Sequence, residues 1–194
     1  MIKGTEADKD LVVNILTSAF LENKSVNYIV RQDKFIRKRI EALMAYSFDC
    51  CTLFGEIYLS EDRNACALVS FPDRKKTSLK SILLDIKLIL KSTGISNIPK
   101  VLGREKLISK NYPDSGIYYL WFIGVAPENQ NMGLGKKLLA EIIEDAHQMN
   151  RSVYLETSTE KNVPWYQNSG FEIYNKLDFG YILFLLKRKP ELKN

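Results

Sequence analysis

The sequence predicts an α/β protein whose mixed sheet is flanked by helices, and three features predict it. Residues 117–139 read as a strand that passes through a short glycine-containing loop into a helix. Residues 151–157 read as a further strand directly after that helix, which makes a βαβ unit with two parallel strands. Hairpin patterns before and after this unit add antiparallel strands on both sides. With 194 residues, 45% hydrophobic and 26% charged, the chain is expected to form a single domain over residues 1–194 with a sizeable core.

Taken in order, residues 2–4 suit a short first strand. Leu11, Val12, Ile15, Leu16, Ala19 and Phe20 then repeat at helical spacing. A connection over residues 23–33 leads to a second predicted helix, residues 34–46, with Phe35, Ile36, Ile40, Leu43 and Met44 on one stripe. Residues 52–59 and 65–71 predict an antiparallel hairpin around the turn-forming residues 60–64. Residues 78–91 place Leu79, Ile82, Leu83, Ile86, Ile89 and Leu90 at helical spacing with lysines opposite, a broad apolar face that is expected to be covered. A weaker helix follows over residues 98–109, before Tyr112-Pro113. Residues 74–114 therefore read as a helical insertion between the third and fourth strands, longer than most connections and expected to have a lid-like role.

In the central unit, residues 118–124 have the β-branched and aromatic composition of a buried strand, and Pro127 marks where pairing must stop for want of an N–H. From Leu134, apolar residues recur at Leu138, Leu139, Ile142, Ile143, Ala146 and Met149, so residues 130–135 are a loop that opens a helix. Beyond the next strand, residues 162–168 predict a short helix with Pro164 in its first turn and Gly170 at its C-terminal cap. Residues 171–177 and 181–187 predict a closing hairpin, and residues 189–194 a frayed tail.

Composition removes several function classes. The first ten residues are charged, unlike a signal peptide, and no run approaches the roughly 18 apolar residues of a membrane span, so a cytoplasmic protein without membrane contact is expected. Cys50, Cys51 and Cys66 are scattered and His147 stands alone, so no metal site is expected. The net charge of +5 is spread over separate clusters without an interleaved RNA-binding aromatic signature, which argues against nucleic acid and suits an anionic cosubstrate.

The loop at residues 130–135 carries the chemistry. Gly133 and Gly135 remove Cβ atoms beside the free N–H groups of a helix start, where the dipole favours an anion, and Lys136 and Lys137 in the first turn make better sense beside one. Taken alone, Gly-x-Gly reads better as a surface loop with two convenient glycines. A P-loop would need glycine at Gln130 and Ser or Thr at Lys137, and a dinucleotide fingerprint would need glycine at Leu138, so neither fits. The whole string Val125-x-Pro127-x-x-Gln130-x-x-Gly133-x-Gly135-x-x-Leu138 resembles the acetyl-CoA motif of the GNAT superfamily of N-acetyltransferases. A second segment, from Leu155 to Phe171, resembles that superfamily's Asn-x-x-x-Tyr-x-x-x-Gly-Phe block, and its Glu-Thr-Ser and Asn-Val-Pro pieces resemble the puromycin N-acetyltransferase branch.

The resemblance implies the GNAT fold: a mixed, mostly antiparallel sheet with a splayed central parallel strand pair. It implies acetyl-CoA as cosubstrate and a primary amine as acceptor. Backbone groups near Ile123, Gly124 and Val125 would bind the pantetheine arm, with Gly124 marking a bulge or a close backbone approach. Gln130, Asn131, Met132, Gly133, Leu134, Gly135 and Lys136 would cradle the pyrophosphate, although Asn131-Met132 departs from the family's usual arginine- or glycine-rich run. Asn162 would bond the pantetheine or phosphate, and Tyr166 would protonate the leaving thiolate. Glu156 and Glu56 are the two general-base candidates, with a water relay as the alternative. Tyr28 and Phe35 would face the acceptor or simply pack. A small-molecule amine is the expected acceptor. A module that binds acyl-CoA without turnover and an acetyltransferase of ribosomal or other proteins are the alternatives, and a homodimer is compatible with the resemblance.

Overall fold

The structure, a computed structural model, describes residues 1–112 and 116–190. Pro113 and Asp114, at the end of the insertion, and residues 191–194 of the expected tail lie outside the described residues. Seven strands form one sheet: β1 (Ile2–Lys3), β2 (Gly55–Leu59), β3 (Ala65–Ser70), β4 (Ile117–Val125), β5 (Ser152–Thr157), β6 (Glu172–Asp178) and β7 (Ile182–Arg188). Their order across the sheet is β1-β2-β3-β4-β5-β7-β6, and every pairing is antiparallel except β4 with β5.

That single parallel pairing is short. Ile117, Tyr118 and Tyr119 match Ser152, Val153 and Tyr154, after which the two strands part. Leu120 to Val125 keep their other neighbour, β3, but their β5 side has no strand partner. Backbone N–H and C=O groups on that side must bond to something other than sheet.

Helices cover both faces. On one, α1 (Lys9–Ala19), α2 (Lys24–Ile29) and α3 (Ile36–Phe54) bury Leu16, Val26, Ile40, Met44 and Phe48 against Leu68 and Phe122. On the other, α6 (Leu134–Gln148) and α7 (Val163–Gln167) bury Leu138, Leu139, Ile142 and Tyr166 against Tyr118, Leu120 and Leu155. The insertion supplies α4 (Leu79–Leu88) and α5 (Ile98–Ser109). Among the described residues, no helix is long and apolar enough to cross a membrane.

Four local expectations change. The second helix does not stop at Tyr46, because the apolar stripe continues through Phe48 and Cys51, both fully buried, so residues 52–54 are helical and the strand starts at Gly55. Helix α2, unforeseen, is started by Asn23, whose side chain accepts from the Val26 N–H at 3.0 Å. The register of β3 against β4 shifts between Leu68 and Val69, so the bulge lies at Trp121, the extra residue between Leu120 and Phe122, and not at Gly124. Gly124 answers instead to close approach, since a Cβ there would stand 2.9 Å from Leu16 Cδ2 on α1.

The fourth change concerns α4. Its broad Leu and Ile face is not covered: Leu79, Leu83 and Leu90 are 83%, 65% and 66% exposed. The helix turns its narrower side inward, with Ser81 buried, Leu88 packed on the α1–α3 core and Asp85 accepting a 2.8 Å hydrogen bond from the Tyr46 hydroxyl of α3.

Candidate active site

Where β4 and β5 part, a cavity of about 1470 Å³ runs from the N-terminus of α6 through the sheet to the helices of the other face. The strand parting joins two ends with different chemistry.

At the first end, Asn131 and Gly133 take left-handed backbone angles, with φ of 64° and 82°, and turn the chain sharply into α6. No side chain caps that helix, so the N–H groups of its first turn have no intrahelical acceptor and carry the positive end of the dipole. A Cβ on Gly135 would lie 3.4 Å from Val125 Cγ2 and 3.9 Å from Trp165, whereas one on Gly133 would meet nothing within 4 Å. Gly133 is thus needed for conformation, whereas a Cβ on Gly135 would make only ordinary contact and it is a larger side chain that would crowd Val125. Gln130, Asn131 and Lys136 line this end, and the Gln130 amide lies 3.4 Å from the Val125 carbonyl. An uncapped helix start beside an unpaired strand edge fits a phosphate carried on an amide-containing arm, as acetyl-CoA has.

Not every residue expected here contributes a side chain. Met132 is 69% exposed and outside the cavity lining, Leu134 packs against the core, and Lys137 pairs with Glu61 at 3.5 Å rather than turning to the cavity.

In the middle, Ile123, Gly124 and Val125 line the cavity from β4, and Asn162 and Tyr166 line it from the α7 segment. The Tyr166 ring is buried against Trp165 and Phe171, with centroids at 4.6 and 5.7 Å. Burial pushes its phenol well above the ordinary value, so it carries a proton at any physiological pH and can only donate it.

At the far end stands Glu156. Its Oε2 accepts a 2.6 Å hydrogen bond from the Tyr119 hydroxyl, and its buried Oε1 has no hydrogen-bond partner among the described residues. Burial pushes this carboxyl up to about 8; the Arg104 guanidinium opposes the shift and Glu105 adds to it. Arg104 reaches in from α5 and is itself tied down: it donates to Ser25 Oγ at 2.7 Å, to the Tyr181 hydroxyl at 3.4 Å and to Glu105.

Of the two carboxylates expected as bases, only Glu156 reaches the cavity. Glu56 is absent from the lining and pairs with Lys3 at 3.1 Å across β1 and β2, with β3 standing between it and the parting strands. Tyr28 and Phe35 are also absent from the lining. Tyr28 packs against Phe179 and Tyr181 under Lys100, and Phe35 is half exposed at the start of α3. Sequence reasoning missed Tyr119, Trp121, Tyr46, Asp85 and Arg104. Strand alternation held a signal for Tyr119, which must face away from the core-filling Tyr118. Nothing local marked the others.

The strand order, the parted parallel pair and the helix start beside it define the GNAT fold. The profile of an acetyltransferase (GNAT) domain matches residues 100–173, which span β4, α6, Glu156 and Tyr166. Among solved structures, the chain is similar to "histone acetyltransferase HPA2 and related acetyltransferase" from Corynebacterium glutamicum, with a TM-score of 0.75 and 16% identity over 100% of this chain and 97% of that one. It is also similar to the C-terminal condensation domain of Ebony in complex with beta-alanyl-dopamine, with a TM-score of 0.72 and 10% identity over 97% of each chain. A third is the ribosomal-protein-S18-alanine N-acetyltransferase of Escherichia coli, with a TM-score of 0.54 and 11% identity over 100% of this chain and 94% of that one. At these identities the likeness is one of fold.

Proposed function

We propose that the protein is an N-acetyltransferase that moves an acetyl group from acetyl-CoA to the primary amine of a small molecule by direct attack. One observation supports this reading: the uncapped start of α6, Tyr166 and Glu156 line one cavity through the parted strands. The matched GNAT domain profile supports the same donor.

Acetyl-CoA supplies the activated acetyl group. The first-turn N–H groups of α6 hold its pyrophosphate, and Asn162 and the unpaired edge at Ile123 to Val125 align the pantetheine arm and its thioester carbonyl. Glu156 takes the proton that the ammonium must lose before its nitrogen can attack, and Tyr166 returns one to the departing thiolate. Bond for bond, a C–N bond replaces a C–S bond, and nitrogen loses two protons: the ammonium proton that Glu156 passes to solvent, and a second from the tetrahedral adduct that replaces the one Tyr166 gives to sulfur.

Two alternatives use the same fold. An acyl-CoA-binding module without turnover would not need a carboxyl of raised pKa in the lining of the second half of the cavity. A ribosomal or other protein acceptor must thread a peptide end past α4 and α5, which wall that half through Asp85, Leu88, Arg104 and Glu105. The motif likeness to the puromycin branch supports the acetyl donor without naming an acceptor. The test is thiol release from acetyl-CoA across a panel of amines and N-terminal peptides. Release that small amines accelerate is expected; release with peptides alone, or none that depends on an amine, would refute the reading.

A further inference from the structure

The acceptor half of the cavity is lined by four aromatic rings in series. Tyr112 and Tyr119 have centroids 5.8 Å apart, Tyr119 and Trp121 6.4 Å, and Trp121 and Tyr46 6.2 Å. They come from three separate parts of the chain: the end of the insertion, β4 and α3. Tyr119 and Trp121, two residues apart on β4, share a face by ordinary strand alternation, and the bulge at Trp121 brings Phe122 to the same face, its ring 5.7 Å from that of Trp121.

Two tyrosines of this wall are bonded to carboxylates, Tyr119 within the series and Tyr46 at its end. Glu156 accepts from Tyr119, and Asp85 accepts from Tyr46. The cation deepest in this half, Arg104, already serves Ser25, Tyr181 and Glu105, and the other, Lys75, is solvent exposed. A ligand here meets ring faces, the Asp85 carboxylate and, above about pH 8, an ionised Glu156, a combination that attracts an ammonium by cation–π and ionic contact, stacks a flat apolar body, and offers a neighbouring carboxylate no free partner at depth.

We infer that the acceptor is an arylalkylamine: a primary amine on a short alkyl arm carrying an aromatic ring, with no carboxylate on the carbon that bears nitrogen. The amine sits at the Glu156 carboxyl in the cavity lining, and the ring lies along Trp121 and Tyr46. This rests on the acetyl-transfer reading for its place in a reaction, but binding alone tests it.

The experiment is calorimetric titration of the protein, loaded with CoA, with phenethylamine, hexylamine, phenylalanine and spermidine. Phenethylamine is expected to bind at least about tenfold more tightly than each of the other three, the equivalent of about 1.4 kcal/mol. Trp121→Leu and Tyr46→Leu, each with unchanged CoA affinity as evidence of folding, are expected to erase that preference. Equal or tighter binding of hexylamine, phenylalanine or spermidine, no binding of phenethylamine, or a preference that survives in both folded variants would overturn the inference. Phenethylamine that binds as expected yet elicits no thiol release from acetyl-CoA would instead refute acetyl transfer and leave the ligand class standing.

Discussion

Tyr119 is the last residue of β4 that pairs with β5, and its hydroxyl bonds across the widening gap to Glu156 Oε2 at 2.6 Å, two residues beyond the last paired position on the other strand. The bond closes the point at which the strands separate and holds the one carboxylate that both lines the cavity and has its pKa raised to about 8.

The amine-dependent rate should therefore rise with pH through about 8, as Glu156 loses its proton and becomes able to accept one. Glu156→Gln should remove that limb and lower kcat by roughly 10²–10⁴. A pH–rate profile of both proteins checks this, and an unchanged limb in the variant would assign it to another group.

The same carboxyl makes a statement about stability. Its folded value lies above the ordinary 4.5, so the folded state holds the proton more tightly, and stability is lost as pH climbs from about 4.5 to about 8. Glu156→Gln should escape this loss. The difference in melting temperature, variant minus wild type, should grow more positive between pH 5 and pH 9, and thermal melts across that range would show whether it does.

Tyr166→Phe keeps the ring that packs on Trp165 and Phe171 and removes only the proton donor. We expect kcat to fall by roughly 10²–10⁴ with CoA affinity almost unchanged. A loss confined to the KM for acetyl-CoA would make Tyr166 a binding residue instead.

Gly133→Val and Gly135→Val should both weaken CoA binding, for different reasons. The first forces a β-branched residue to φ of 82°, and the second brings a side chain onto Val125 and into the phosphate cradle. Calorimetry on folded variants decides the matter, and wild-type affinity in either would remove that glycine from the site.

Gly124→Ala tests packing rather than chemistry. The added Cβ would stand 2.9 Å from Leu16 Cδ2, the end of a fully buried side chain that must turn aside, at a cost toward the low end of about 1–3 kcal/mol. Urea unfolding should show the loss as a lower midpoint without a change in slope.

The sequence by itself determined the strand, loop and helix from Ile117 to Gln148, the glycines at Gly133 and Gly135, and the short helix that carries Tyr166, because periodicity and turn chemistry are properties of neighbouring residues. It also put Glu156 one residue from a strand's end, but could not choose between Glu156 and Glu56, whose local settings are alike. Only the tertiary structure decided that, through the strand order that leaves Glu56 with Lys3 on the outer strands and the parting that opens a cavity beside Glu156. The Trp121 bulge, the extension of α3 through Phe54 and the outward-facing leucines of α4 belong to the same class. Each depends on which distant surface a side chain meets, and a one-residue slip between strands reverses the face of every residue beyond it, a consequence that no local pattern encodes.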